Sequence, residues 1–349
     1  SVGVHVRSLG GLGAFSSLAV RGAPAGHTAL VVDGVPVSSM ISAATDLNAW
    51  DLAGFSRLRV FRDGVPVDLG GAALGGAVYL ESGLGPRADG SKNRFQLGYG
   101  SFGARRALAE RRDSLVGDRL RMLLSLSYAG TGGGFSYFDD NGTPLNFADD
   151  STARRVNNGY DHVQAQARAR YRWASGTAIE LGARALWRDQ GVPGPSGVVA
   201  QRAHLATRRA LVDAALTQSE LARSLDASVR AHLLFERQDW VDLGGEIGLG
   251  TQDTTYNTWA GGALGKLAYL FGEHHVASFA PELRVERFAE RDHLLEAQPS
   301  PTRAAHLWGT RISGAAGLAD EITLGQDTLV LLPALRLDAL STRAQRDGS

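Results

Sequence analysis

The chain has 349 residues, no cysteine, and 36 basic against 36 acidic side chains, so its formal net charge is zero. Without cysteine there is no disulfide framework, thiolate metal site or cysteine nucleophile, and without a charge excess there is no global field to draw nucleic acid. No run of about 18 apolar residues occurs, so lipid can be crossed only by strands closed into a barrel. Glycine, at 44 residues, suits turns and close strand packing more than helices. The sequence opens SVGVHV with no basic and apolar leader, and the expectation is that a leader was removed or that the chain is a fragment.

Residues 1–86 form the first expected domain. Short apolar bursts such as Ala29-Leu30-Val31-Val32 and Leu58-Arg59-Val60-Phe61 sit between glycine-rich turns and predict a small mixed domain with about four strands. Five segments stand in order here: Val2 to Val6 (VGVHV), Leu18 to Gly22 (LAVRG), Leu30 to Val37 (LVVDGVPV), Phe55 to Arg62 (FSRLRVFR) and Gly70 to Leu80 (GGAALGGAVYL). In that order and spacing they resemble the plug domain of TonB-dependent outer-membrane receptors. Gly22, Gly34, Gly75 and Gly76 fall where a strand must turn sharply or two backbones approach.

The resemblance implies a plug, α+β in class and N-terminally incomplete here, inside a barrel of about 22 strands, moved by a TonB-type periplasmic energy transducer to admit a scarce ligand. It also implies that Arg21 and Arg62 anchor the plug to inward carboxylates such as Glu110 or Glu180, with ordinary solvated arginines as the alternative. Ligand contacts are expected at the plug apices, at Phe15, Ser16, Pro24, His27 and Ser39, and at Trp50, although a turn histidine and a packed tryptophan are the competing readings of His27 and Trp50. Two departures are visible. The transducer-contacting box is not within the sequence, and the family's Arg-Gly-Pro after the last quoted plug strand is here Arg62-Asp63-Gly64-Val65-Pro66.

From residue 87 to 349 the pattern changes to alternation. Phe95, Leu97 and Tyr99 alternate with Arg94, Gln96 and Gly98, and Leu120 to Tyr128 follows the same period. The clearest segment is Asp161 to Trp173, which puts Val163, Ala165, Ala167, Ala169, Tyr171 and Trp173 on one face and Gln164, Gln166, Arg168, Arg170 and Arg172 on the other. A strand sends successive side chains to opposite faces, so this one divides lipid from water. Leu181 to Trp187 and Leu225 to Phe235 repeat the pattern, while 202–217, 254–271 and 275–290 are assigned mainly from spacing. Short joints near 113–118, 174–176, 218–223 and 271–274 take turns with long ones near 130–157, 189–201, 240–253 and 290–305, the rhythm of periplasmic turns and outer loops. The bend at 100–103 is short for a loop, and 317–327 is long for a turn. The sum is about eleven strands, the first half of a transmembrane antiparallel β-barrel. Eleven cannot close around a plug without exposing backbone to lipid, which is why the sequence reads as a fragment.

Chemical motifs are few. Asp139, Asp140, Asn141, Asp149 and Asp150 share one loop, and hard oxygen donors on a flexible excursion suit calcium; an acidic turn is the alternative. No other cofactor is expected. Gly98 to Gly103 spells G-x-G-x-x-G but runs into strand-like alternation, so it reads as a hairpin. Glu273-His274-His275 reads as a turn, because neighbouring strand residues point to opposite faces. No hydrolase elbow or zinc-protease motif occurs, so nothing recommends an enzyme. The leading expectation is therefore a monomeric receptor and transporter in a Gram-negative-type outer membrane, importing a ferric siderophore or a corrinoid with no nucleic-acid partner. The alternatives are a plugged surface receptor for signalling or adhesion and a passive porin.

Overall fold

Strict alternation of apolar and polar side chains leaves a strand with two unlike faces, and such strands can bury both only by lining up edge to edge between two different surroundings. The computed structural model describes residues 3–8, 13, 15–37, 46–62, 65–69, 75–84, 90–143, 145–194, 199–248, 250–300, 303–324 and 328–346. Its N-terminal part holds β1 (Val4–Ser8), β2 (Ser16–Val20), β3 (Thr28–Val32), β4 (Val35–Pro36), β5 (Arg57–Phe61) and β6 (Gly76–Glu81). β1 and β2 make a hairpin, and the other four make a sheet in the order β4-β3-β6-β5, with β3 and β6 parallel.

The wall follows as β7 (Gly90–Gly100), β8 (Ala104–Leu115), β9 (Leu120–Thr131), a small hairpin of β10 (Ser136–Asp139) and β11 (Ser151–Arg154), then β12 (Tyr160–Arg172), β13 (Thr177–Gly191), β14 (His204–Ala222), β15 (Leu225–Asp242), β16 (Gln252–Phe271) and β17 (His275–Asp292). A short helix, α1 (His293–Ala297), precedes β18 (His306–Leu324), β19 (Leu329–Leu331) and β20 (Ala334–Arg346). Every neighbour in the wall is antiparallel, from β7 at one edge to β20 at the other. β19 and β20 both pair with β18 and act as one strand interrupted at Leu332 and Pro333, so the wall has eleven long strands.

The two faces separate as the alternation requires. Leu124, Leu181, Trp187, Val212, Val229, Leu233 and Ile312 point outward and stand exposed, whereas Gln164, Gln166, Arg168, Arg184, Arg188, His232 and Glu286 point inward and are buried against the N-terminal domain. About 9–11 tilted residues cross a bilayer, so strands of 18 to 20 residues such as β15, β16 and β17 project beyond it. No described helix is long and apolar enough to cross a membrane.

One expectation fails in detail. Segment 317–327, anticipated as an over-long turn, is strand as far as Leu324, with Gly317, Ala319 and Asp320 paired to Ala280, Ser278 and Ala277. The run of small residues serves packing: a Cβ on Gly317 would stand 2.6 Å from the Cβ of Val67, so glycine there admits a turn of the N-terminal domain against the wall. The bend at Ser101–Gly103 is short as anticipated, a single 3-10 turn carried by Phe102 at φ 61°.

Leu233 is 62% exposed, in the middle of the outward apolar band. Leu233→Arg is expected to cost about 2–4 kcal/mol of folding free energy in a bilayer, measured by denaturant titration of the full-length protein in lipid vesicles.

Candidate functional site: the interface between plug and wall

Asp33 and Gly34 turn β3 into β4 with φ of 50° and 83°, the two positive values a tight two-residue hairpin demands. Space enforces the glycine too, because a Cβ at Gly34 would lie 2.9 Å from Nε of Arg230 on the wall. The turn delivers the Asp33 carboxylate to a place where nearly everything around it is protein. Ser82 donates to it twice, from its amide at 2.7 Å and its hydroxyl at 2.6 Å. From the wall come Arg168 Nη2 at 3.1 Å and Arg184 Nη2 at 3.3 Å.

Those arginines are themselves tied down. Arg168 also pairs with Asp213 at 2.8 Å and with Glu180, and Arg230 pairs with Asp213 as well. Arg184, whose side chain is 5% exposed, donates to Ser82 Oγ at 2.6 Å and Gln166 Oε1 at 2.9 Å, and its guanidinium lies 4.1 Å over the ring of Phe55. An arginine this dry is tolerable only when its hydrogen bonds and charge are met.

The same theme recurs around the curve of the wall. Arg188 pairs with Asp46 at 3.1 Å and donates to the carbonyl of Gly13; Arg106 pairs with Asp51 at 3.3 Å and Lys266 with Asp68 at 2.6 Å. Backbone carbonyls take the rest: Arg112 donates to Gly83 at 3.1 Å, Arg209 to Ala49 at 3.3 Å, Arg284 to Pro36 at 2.8 Å and Arg336 to Val67 at 3.0 Å. Contacts thus reach the N-terminal domain from β8, β12, β13, β14, β16, β17 and β20, and the sheet curls around it. The apolar core is mostly the domain's own, built of Val20, Leu30, Val32, Val35, Val78 and Leu80, with Leu211, Leu234 and Ala260 added by the wall.

Among the described contacts, the ion pairs between wall and N-terminal domain set a wall cation against a carboxylate of the domain. Arg21 donates to the carbonyl of Arg62 at 3.3 Å, within the N-terminal domain, while Glu110 and Glu180 are engaged by wall arginines, Arg112 at 2.9 Å and Arg168 respectively. The cations belong mainly to the wall and the carboxylates to the domain inside it. Sequence alternation shows that Arg168, Arg184 and Arg188 face inward, but nothing in it shows which carboxylate each meets.

The apex residues scatter. Pro24 and His27 are exposed at a 3-10 turn, where His27 lends its carbonyl to the amide of Gly75 at 2.9 Å. Phe15 is half-buried, and Ser16 is buried at the start of β2 with its amide donating to Asp46 at 2.9 Å. Ser39 lies outside the described residues. Trp50 does not present a ligand-binding face: it is 3% exposed, with Arg209 stacked 4.6 Å over its ring and Arg184 at 5.8 Å.

On the outer side, Asp149 accepts from Thr143 at 2.9 Å and from Asn141 at 3.3 Å, while Asp139 and Asp140 cap the amides of Asn141 and Gly142, both at 3.1 Å. The hydrogen bonds hold the Asp149 carboxyl below its usual pKa, Thr143 contributing most. These hydrogen bonds stay within the turn itself. Among the described residues no three His, Cys, Asp or Glu groups are placed to hold one metal ion.

A neighbouring outer loop is clamped by Glu246. Its Oε2 accepts from the amides of Gln201 and Arg202, both at 2.8 Å, and of Ala203 at 3.2 Å, tying the joint after β13 to the joint after β15. The Arg202 amide, followed by its neighbours, holds this carboxyl below its ordinary value of 4.5. A depressed carboxyl stabilises the loops above the unfolded value and ceases to do so as pH falls through the folded one. Exchange protection of the Gln201, Arg202 and Ala203 amides should therefore persist from neutral pH down to about the ordinary value of 4.5 and be lost only as pH falls further, through the depressed folded-state value. In Glu246→Ala it should be missing throughout, as hydrogen exchange on the full-length protein can measure.

Comparisons with known proteins agree with this architecture. Residues 1–77 match the model of the TonB-dependent receptor plug domain. Over 99 residues, 28% of this chain and 16% of the relative, the sequence is 31% identical to the vitamin B12 transporter BtuB of Vibrio vulnificus (strain YJ016). The fold is similar to that of the pyoverdine outer-membrane receptor FpvA of Pseudomonas aeruginosa PAO1, with a TM-score of 0.73 at 13% identity, covering 99% of this chain and 54% of that one. The FrpB iron transporter of Neisseria meningitidis gives 0.74 at 13% identity, covering 99% and 55%. The chain thus spans about half the length of these solved structures. Residues 1–77 are a TonB-dependent receptor plug domain, and the chain carries that plug against a barrel wall in the fold of the TonB-dependent receptors.

Proposed function

We propose that this chain is the plug and adjoining wall of an outer-membrane receptor that imports a scarce, large ligand, a ferric siderophore or a corrinoid, when a TonB-type periplasmic transducer displaces the plug. The observation that carries the reading is the character of the plug's attachment. Its seat is made of ion pairs and hydrogen bonds centred on Asp33, Arg168 and Arg184, and its apolar core is largely its own. Such a seat can be opened with water replacing each polar contact, whereas parting a shared apolar core exposes surface at roughly 25 cal/mol per Å². The relatives named above, a vitamin B12 transporter, a pyoverdine receptor and an iron transporter, support the ligand class. A plugged surface receptor without transport is the second reading, favoured by the same seat if the plug never leaves it.

Growth of a strain lacking the gene, on a panel of ferric chelates and corrinoids, separates the two. Import predicts a ligand-specific defect that also appears when the transducer is deleted; growth matching the parent on every ligand would overturn import. The seat itself is tested by Asp33→Ala, which leaves Arg168 and Arg184 buried without the carboxylate of the plug, a loss of about 3–5 kcal/mol for a broken buried pair. In planar bilayers the full-length protein is expected to be nearly silent and Asp33→Ala to show frequent large openings.

A further inference from the structure

Plug and wall do not meet everywhere. On the side of the short joints they enclose a cavity of about 550 Å³, to which the plug contributes Arg57, Tyr79 and Glu81 and the wall Arg121, Arg170 and Glu180. A water takes about 30 Å³ of liquid, so this space has room for many waters or for one small molecule. A second cavity, about 350 Å³, shares Arg121 and Arg170 with the first and reaches the short joints themselves, where Gly117, Arg119, Arg172 and Gly176 line it.

The charges around this space differ from those of the seat. At Asp33 a wall cation meets a plug carboxylate, but here the plug presents a cation as well, the 62% exposed side chain of Arg57. Six arginines and three carboxylates make up the charged lining, and each of those carboxylates is divided between two guanidiniums. Glu81 lies 3.6 Å from Arg57 and 2.8 Å from Arg59, Asp33 serves Arg168 and Arg184, and Glu180 serves Arg168 and, at 3.8 Å, Arg230. From behind the lining Glu110 meets Arg112, and Asp213 is again divided, between Arg168 and Arg230. Arg121 and Arg170 stand directly opposite each other on β9 and β12, with Asp118 3.9 Å from Arg121. Positive charge is therefore in excess around an accessible space, and guanidinium forks suit the paired oxygens of carboxylate and phosphate.

We propose that this cavity binds a small oxyanion bearing two or more carboxylate or phosphate groups, drawn from the periplasm, which bridges Arg57 of the plug to Arg121 and Arg170 of the wall. Such an anion replaces a cation-to-cation boundary by two attractive ones. It binds the seated plug better than a displaced one, because only the seated plug brings Arg57 opposite the wall pair, and so it strengthens the seat as its concentration rises. The inference rests on reading the short joints as the periplasmic side and needs nothing of the transport proposal.

The test is titration calorimetry on the full-length protein in dodecylmaltoside micelles, with citrate and inorganic pyrophosphate as probes and the uncharged triamide of citric acid as their comparison. The anions should bind and the triamide should not; binding of one anion alone assigns the site to carboxylate or to phosphate. Arg121→Gln combined with Arg170→Gln should weaken binding about tenfold or more, while Arg121→Lys with Arg170→Lys should keep most of it. Arg57→Gln, at an exposed position of the plug, should weaken it as well. Absence of heat with both anions overturns the proposal, and so does equal binding of the triamide. Unchanged affinity in Arg57→Gln, or in a glutamine double variant that is folded by its heat-dependent gel mobility, places the anion elsewhere and overturns it too; should the double variant not fold, Arg57→Gln decides alone. Growth on the ligand panel has no bearing on any of these results, so the two proposals fail separately.

Discussion

A guanidinium removed from water has to be met by a carboxylate or by carbonyl oxygens, and the inner wall of this protein holds many of them. Arg168, Arg184, Arg188 and Arg284 are all buried, and none is buried by the wall alone. Their partners Asp33, Asp46 and the carbonyl of Pro36 come from the plug. A polar lumen filled by a polar-faced plug meets most of that demand, although Arg184 Nη1 and Arg188 Nε stay buried without a hydrogen-bond partner. It also leaves most of the apolar core to the plug, where Val20, Val32 and Val78 belong to one cluster that the wall joins only through Leu211, Leu234 and Ala260. The ability to unseat and the need to seat thus arise from the same contacts.

The cluster around Asp33 shows how little of the chain sets this up. One Asp-Gly turn, the serine just past β6, and the inward arginines Arg168 and Arg184 come from stretches of sequence up to 151 residues apart. Each is unremarkable alone. Brought together they share hydrogen bonds, so that Arg184 contacts Ser82, Gln166 and Asp33 at once, and removal of one member leaves several unmet.

Much of this fold is written in the period of the side chains. The segment from Val163 to Trp173 states its two faces without ambiguity, and burial alternates with it as far as Arg168, beyond which both faces of β12 are half-buried. The family resemblance, carried by segments from Val2 to Leu80, located the plug because backbone demands such as the positive φ of Gly34 and Gly76 leave fixed residues behind. What alternation cannot convey is the identity of a partner across space. It gave no sign that Asp33, Asp46 and Asp68 would be the plug's anchoring groups, and so Arg21 and Arg62 were expected in that role. Trp50 takes the packed alternative of its two readings, and local sequence could not choose between them: a tryptophan beside a turn looks the same whether its ring faces ligand or, as here, two arginines. The joint at 317–327 is read from spacing alone, and the packing of Gly317 against Val67, which lies far away in sequence, is invisible to it.

Arg208 and Arg209 put the same point in its sharpest form. They are chemically identical neighbours on β14, yet Arg209 turns inward to the carbonyl of Ala49, the ring of Trp50 and Glu236, while Arg208 turns outward beside Trp187 and Arg237. A single step along the pleat decides whether the charge holds the plug or faces the membrane. A slip of one residue in this strand would exchange them, stranding Ala210 and Val212 against the polar lumen and carrying Asp213 out of its contacts with Arg168 and Arg230 into lipid. The register of the wall is therefore fixed from both sides at once, by the band that tolerates no buried carboxylate and by a plug that cannot seat without one.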